Sequence, residues 1–315
     1  MKKLLALAVT AALSTSAVAG TGVFGEVSQF NKKSADFSVS GAHNTDKKTG
    51  LQTAYRMENG LFFGAETSYD WNKDSKGIEA SSMGAAYRYN ITDNFYVMPQ
   101  VIYTKQDRDS EYATAEQDHT NVVPFTGQDV DFYNADYKVG NAWEFAVQTA
   151  YHMDNGFFVA GRYGYEKSNN SLQMQQLDVI PGKETVVASF SANDKVRFHT
   201  FDLTAGYEIA DVALFTATYT HQRSADKISG TLSTLNDVTP FIIDPSDTVI
   251  TESRSGSVKA KNNEYKLKAA YLGMGDIIPF VSYTVKGKYK FTGDAKVVPA
   301  LEADNVLEVG VSVSF

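Results

Sequence analysis

The stretch Trp143-Glu144-Phe145-Ala146-Val147-Gln148-Thr149-Ala150-Tyr151-His152-Met153 is followed by Asp154-Asn155-Gly156 and then by a second run starting at Phe157. Its odd positions carry Trp, Phe, Val, Thr, Tyr and Met, and its even positions carry Glu, Ala, Gln, Ala and His. Strand side chains alternate between two faces, whereas a helix repeats every 3.6 residues, so this stretch is a strand with one apolar and one polar face. Asp, Asn and Gly tolerate the positive φ of a tight hairpin, so the chain turns back on itself at 154–156.

The same alternation spreads outward through the chain. Phe63, Ala65, Thr67, Tyr69 and Trp71 oppose Gly64, Glu66, Ser68 and Asp70, and Phe95, Val97, Pro99, Val101 and Tyr103 oppose Tyr96, Met98, Gln100, Ile102 and Thr104. It recurs in 157–166, 201–209, 213–220, 264–271 and 277–289. Short turns at Glu58-Asn59-Gly60, Thr92-Asp93-Asn94, Asp154-Asn155-Gly156, Ala210-Asp211 and 273–276 each join two such runs. One hairpin solution is reused, since Ala54-Tyr55-Arg56-Met57-Glu58-Asn59-Gly60 is echoed by Ala150-Tyr151-His152-Met153-Asp154-Asn155-Gly156. Between hairpins lie connections at about 31–49, 72–78, 107–140, 167–195, 223–262 and 292–304. Those at 107–140, 167–195 and 223–262 are long.

Short turns on one side and long loops on the other are the asymmetry of outer-membrane barrels. Five hairpins give ten strands and one strand at each end makes about twelve, with fourteen as the alternative count. The first, about 22–30, is expected to pair antiparallel with the last, about 306–315, leaving no open edge in lipid. The fold class is therefore all-β, a transmembrane antiparallel up-and-down β-barrel.

Aromatic placement decides which face meets lipid. The 18 Tyr and 19 Phe cluster near strand ends on the apolar face. Tyr55, Phe63, Tyr151 and Phe157 flank the short turns; Trp71, Tyr103, Trp143, Tyr165 and Tyr219 lie toward the long connections. Two such girdles are the interfacial belts of a membrane barrel. The other face carries Arg56, Glu66, Asp70, Arg88, Glu144, Arg162, Glu166, Asp202, Lys266, Lys268, Lys286 and Lys288. Burying so many charges dry is prohibitive, so they line a hydrated lumen or a tightly paired ionic core.

The first residues, with Lys2 and Lys3, an apolar run Leu4–Leu13 and Ala17-Val18-Ala19, form a secretory signal peptide over 1–19, leaving 20–315 as the barrel. The chain has 0 Cys, which excludes disulfides, zinc-thiolate sites and cysteine nucleophiles. Without Lys2 and Lys3, 27 basic residues face 37 acidic ones, a charge of -10 that argues against a nucleic-acid partner.

The closing run Leu307, Val309, Val311, Val313 and terminal Phe315 resembles the C-terminal signal by which Gram-negative outer-membrane proteins are recognised by the barrel-assembly machinery. The layout is similar to monomeric small-solute and oligosaccharide porins of about 12 to 14 strands. That resemblance implies a non-enzymatic, monomeric channel in the outer membrane, in contact with its lipids and lipopolysaccharide, passing small hydrophilic solutes or ions. The runner-up is a non-conducting structural or receptor barrel acting through its outer loops.

His43, His119, His152, His199 and His221 never occupy i, i+2 positions, so neither a metal site nor a cofactor is expected, and no catalytic triad signature is present. The acidic segment 107–136 reads either as a loop folded into the pore or as a solvated outer loop bridged to lipopolysaccharide by divalent cations. Apolar stretches at Val186-Val187-Ala188 and Phe241-Ile242-Ile243 read as barrel-extending hairpins or as recognition surface. Lys266, Lys268, Lys286 and Lys288 share the wet face of one hairpin, where they set a transverse field or form salt bridges such as Glu264 with Lys286.

Overall fold

The computed structural model describes residues 37–73, 76–106, 109–116, 131–180, 183–235, 249–293 and 304–315. The expected signal peptide, the expected first strand at 22–30 and the stretch Phe241-Ile242-Ile243 lie outside them. The main strands are β1 (Phe37–Asn44), β2 (Lys48–Arg56), β3 (Leu61–Asp70), β4 (Gly77–Tyr87), β5 (Phe95–Gln106) and β6 (Ala142–His152). They continue with β7 (Phe157–Ile180), β8 (Lys183–Ile209), β9 (Ala213–Leu235), β10 (Val249–Tyr271), β11 (Ile277–Lys286) and β12 (Val306–Ser314). Each pairs antiparallel with its neighbours in chain order, and β12 returns to β1, so the 12 strands form a closed barrel. Among the described residues no helix is long and apolar enough to cross a membrane.

The partner of the last strand is Phe37–Asn44, inside the connection expected at 31–49. Its inward residues are Ser38, Ser40, Ala42 and Asn44 and its outward ones Phe37, Val39, Gly41 and His43, so the apolar alternation covers only two outward positions before Gly41 and His43 end it. Backbone pairing identifies it, from Ser38 opposite Ser314 to Asn44 opposite Glu308. At the seam, Phe315 N–H donates to Phe37 O at 2.9 Å and the two rings lie 5.9 Å apart.

The connections expected at 167–195 and 223–262 are mostly strand. β7 to β10 run for 24, 27, 23 and 23 residues, while the other strands have 8 to 12. A tilted strand crosses a bilayer in about 9–11 residues, so more than half of each long strand stands beyond the membrane as one tall wall. Two short strands, Asp109–Glu116 and Asp131–Lys138, pair with each other, and the second adds to the upper part of β7. Lys290–Gly293 adds to the upper part of β10.

The two echoed hairpins close identically. Met57 N–H donates to Leu61 O at 2.8 Å and Met153 N–H to Phe157 O at 2.8 Å; Asn59 Oδ1 and Asn155 Oδ1 accept from the residue two further on. Gly60 and Gly156 stand at φ 88° and 87°. A Cβ on either would also strike the neighbouring strand's carbonyl, of Arg88 or of Glu208, both of which donate their N–H to that glycine's own carbonyl. Gly156→Ala is therefore expected to lower stability by about 1–3 kcal/mol. Gly50→Ala, with ordinary φ and open space, should change it by about 0.5 kcal/mol or less. Urea unfolding of both variants in the same micelles checks the contrast.

Candidate functional site

The outer face carries the apolar side chains. Trp143, Phe145, Val147 and Tyr151 are exposed while Ala142, Glu144, Ala146, Gln148 and Ala150 are buried, and the same division runs around the ring. Upper-girdle aromatics pair across strands, Tyr103 with Trp143 at 4.9 Å and Tyr219 with Tyr265 at 5.3 Å. An antiparallel ring, apolar and aromatic outside and charged within, is a transmembrane β-barrel.

Inside, the polar side chains of β5 to β9 form one network at mid-height. Arg162 donates from Nη2 to Glu144 Oε1 at 2.5 Å and from Nε to Gln100 Oε1 at 3.3 Å, and its Nη1 lies 3.6 Å from Asp202 Oδ2. Gln100 donates on to Gln148 at 3.1 Å, and Gln148 to the Tyr96 hydroxyl at 3.2 Å. Thr220 Oγ1 donates to Asp202 Oδ1 at 2.7 Å. Glu166, also buried, stands directly across the strands from Glu144. One guanidinium thus joins strands that carry three inward carboxylates.

The opposite side of the lumen differs. Lys266 and Glu308 pair at 3.4 Å with side-chain exposures of 34% and 25%, and Lys286 and Asp46 pair at 3.4 Å with 27% and 34%. Ser282 Oγ donates to the same Glu308 oxygen at 3.1 Å. Lys48 reaches Glu79 at 2.7 Å. Asp70 is buried and accepts from the Asn72 N–H at 2.8 Å, and Glu66 is half-buried, facing Gln52 across β2. Lys286 lies across from Glu264, yet its ion pair is to Asp46.

Lys288 is not on this face. Gly287 N–H donates to Asn263 O, the strand pairing lapses, and the alternation slips so that Tyr289 and Phe291 turn inward while Lys288 is exposed. Lys268 does face inward, but its ammonium sits 3.8 Å above the Phe280 ring, below the ion pairs.

Two apolar clusters occupy the short-turn half of the lumen. One contains Phe62, Tyr96 and Met98 and reaches up to Ile102 beside Glu144, the other contains Phe158, Leu214, Ile278 and Phe280. The ring of Phe158 lies over Gly206 and that of Phe280 over Gly310, positions where any Cβ would collide. Arg88 caps Tyr96 at 4.1 Å and Arg56 lies 5.7 Å from Phe62. His152 stacks between Tyr96, at 6.2 Å, and Phe158, at 5.3 Å.

Sequence reading missed several charged groups that reach inward, among them Asp46 and Lys48, which pair with Lys286 and Glu79. Glu79 is the extra residue of a bulge in β4, between Ile78 opposite Tyr69 and Ala80 opposite Ser68, which breaks the period that would have placed it. Asp194 and Asp226 lie in the tall wall, where strand was not expected. Their even-numbered phase continues that of Asp202 and Thr220 and would have found them had the strands been drawn longer. Among the described residues no three His, Cys, Asp or Glu gather as metal ligands. Of the acidic segment 107–136, residues 107, 108 and 117–130 lie outside the described residues.

A family profile described as "Protein of unknown function (DUF3570)" matches residues 42–193. No curated protein matches the sequence. Among solved structures the chain is similar to a NanC porin, at 13% identity over 89% of this chain and 100% of that one, with a TM-score of 0.45. It is also similar to the KdgM porin, at 12% identity over 88% and 99% with a TM-score of 0.42. The CymD monoaromatic hydrocarbon channel shares 8% identity over 95% and 93%, at 0.43.

Two outcomes follow from the inward charges. Removing one partner of a buried ionic network costs about 3–5 kcal/mol, so Arg162→Met should lower the urea midpoint sharply and Arg162→Lys should recover part of it. Asp226, three residues beyond Arg223 on the outer side of the belt, has its carboxyl pushed up to about 8 by burial, with the nearby Asp194 charge adding and the Ser224 hydroxyl opposing. The fold thus favours the protonated acid, and stability falls as pH rises from about 4 toward 8. In Asp226→Asn that part of the pH dependence of the thermal midpoint should flatten.

Proposed function

We propose that the chain is an outer-membrane channel through which small hydrophilic solutes and ions diffuse passively, along the β10–β11–β12–β1–β2 side of the lumen. The observation that carries this reading is the pair of half-hydrated ion pairs, Lys266 with Glu308 and Lys286 with Asp46, inside a closed ring. Charges retain a quarter to a third of their exposure there only if water reaches them, and a dry interior would make them prohibitively costly. The buried network around Arg162 closes the other side, so the path runs off-centre beneath one charged wall. Each barrel encloses its own path, which suits a monomer inserted by the barrel-assembly machinery, and nothing in the arrangement calls for catalysis.

One observation favours the second reading, a non-conducting receptor barrel: the apolar clusters around Tyr96 and Phe280 narrow the short-turn half. Purified protein in a planar bilayer decides between them. Stepwise currents are expected, and persistent silence from correctly folded protein rejects the channel. Low-dielectric walls focus the field of charges lining a narrow path. Lys266→Gln with Lys286→Gln should therefore move the reversal potential in a salt gradient toward cations, whereas Lys288→Gln should leave it unchanged. Phe280→Ala should raise conductance by opening the narrow half.

A further inference from the structure

Immediately above the aromatic belt, the outward face of the tall wall changes character. The row at the upper edge of the belt runs Tyr165, His199, Arg223, Lys261 and Lys290 in direct cross-strand register. The next row up runs Lys167, Arg197, Ala225, Lys259 and Thr292. The third runs Asn169, Lys195, Lys227 and Ser257. Every Lys and Arg in these rows is exposed, none makes an ion pair with another described residue, and no Asp or Glu stands among them. Yet acidic residues outnumber basic ones in the chain, 37 to 29. Among the acids of the same strands, Glu166, Asp194, Asp202 and Asp226 are on the inner face.

The pairing is more pointed than the composition. Lys167 lies directly opposite Arg197, Lys195 opposite Lys227, Arg223 opposite Lys261, and Lys261 opposite Lys290. Directly opposed side chains have Cβ atoms about 5 Å apart, and like charges there destabilise a sheet. Four such pairs in one patch oppose the folding of the protein alone and become favourable when anions sit between them. Neighbouring strands are about 4.8 Å apart and successive outward positions about 6.7 Å, a grid on which each anion meets two to four cations.

We infer that this patch binds the phosphate groups of an outer-leaflet glycolipid, of the lipid A type, whose acyl chains lie against the aromatic belt below. Three features on the wall choose lipid over a soluble anion. The cations begin at the row where the aromatics end, which is headgroup depth in a membrane barrel. They face outward, away from the lumen. Tyr163, whose hydroxyl is 2.7 Å from His199 Nδ1, and Tyr219, whose hydroxyl donates to Asn263 at 3.1 Å, hold the interfacial rings just beneath them. Arginine at 197 and 223 supplies planar forks that take phosphate oxygens two at a time, and the lysines supply mobile point charges. This binding rests on the outer-membrane placement and the outward phase of the wall, and is independent of conduction.

The test uses the full-chain protein in non-ionic micelles, titrated with bisphosphorylated lipid A, the same lipid dephosphorylated, or inorganic phosphate, and read by native mass spectrometry and thermal midpoint. The bisphosphorylated lipid is expected to bind at least about ten-fold tighter than the dephosphorylated one, to raise the midpoint, and to weaken with added salt. Lys195→Gln with Lys227→Gln should lose most of that preference; if that variant folds poorly, Arg223→Gln is read instead. Equal binding of the two lipids, or an unchanged preference in the variants, would overturn the inference. A midpoint rise given equally by inorganic phosphate would overturn the lipid assignment. If the cations served only to offset the inner acids across the sheet, the glutamine variants would lose stability without lipid while keeping their lipid preference, which also counts against it.

Discussion

Everything in this molecule depends on closure. In hydrocarbon no water is available to an unpaired backbone N–H or C=O, so a sheet crossing a bilayer must return to its own first strand. The seam between β1 and β12 does this, and it places the carboxyl-terminal Phe315 against Phe37 at the short-turn rim. Closure also fixes the alternation. Once one face of the ring meets lipid, every second residue of every strand is committed to the interior, whatever its chemistry.

That commitment explains why so much was legible and where reading failed. The outward set of β6, from Trp143 to Tyr151, and the inward positions of Lys266, Lys268 and Lys286 follow from period two alone. Lys288 escaped because Gly287 interrupts the pairing, and a register slip of one residue exchanges the faces. Glu79 escaped for the same reason at a bulge. β1 was hidden because its apolar alternation, Phe37 and Val39 against Ser38 and Ser40, stops at Gly41 and His43. The upper halves of β7 to β10 were hidden because their outward positions are polar and their inward ones mix Val196, Ile228 and Val258 with Asn170, Asp194 and Asp226, so stretches such as Lys167-Ser168-Asn169-Asn170-Ser171 carry no hydropathy rhythm. Their strand character comes from partners, as with Asn169 opposite Lys195.

The lumen itself was legible only in part. Sequence phase lists which groups point inward, but pairing across the interior depends on strand order and height, which phase does not contain. Lys286 meets Asp46, a turn residue 240 positions away in sequence, and not the Glu264 directly across from it. Arg162 gathers partners from three neighbouring strands. The division into a dry, networked side and a half-hydrated side emerges only when the ring is closed.

The tall wall has a cost that its finished form conceals. The upper part of the β7–β8 hairpin is strongly polar and carries Lys167, Asn169, Asn170, Asp194, Lys195 and Arg197. If the short turns remain on the side of synthesis, each such tip has to traverse the bilayer before its strands can seat, and a charge crossing the hydrocarbon is opposed by its desolvation. The five strands from β1 to β5, with mostly short connections and few residues beyond the belt, face a smaller barrier. Insertion of this barrel is then a two-speed process, in which the half carrying β7 to β10 sets the pace, because its β7–β8 and β9–β10 hairpins each have more than twenty register pairs to form.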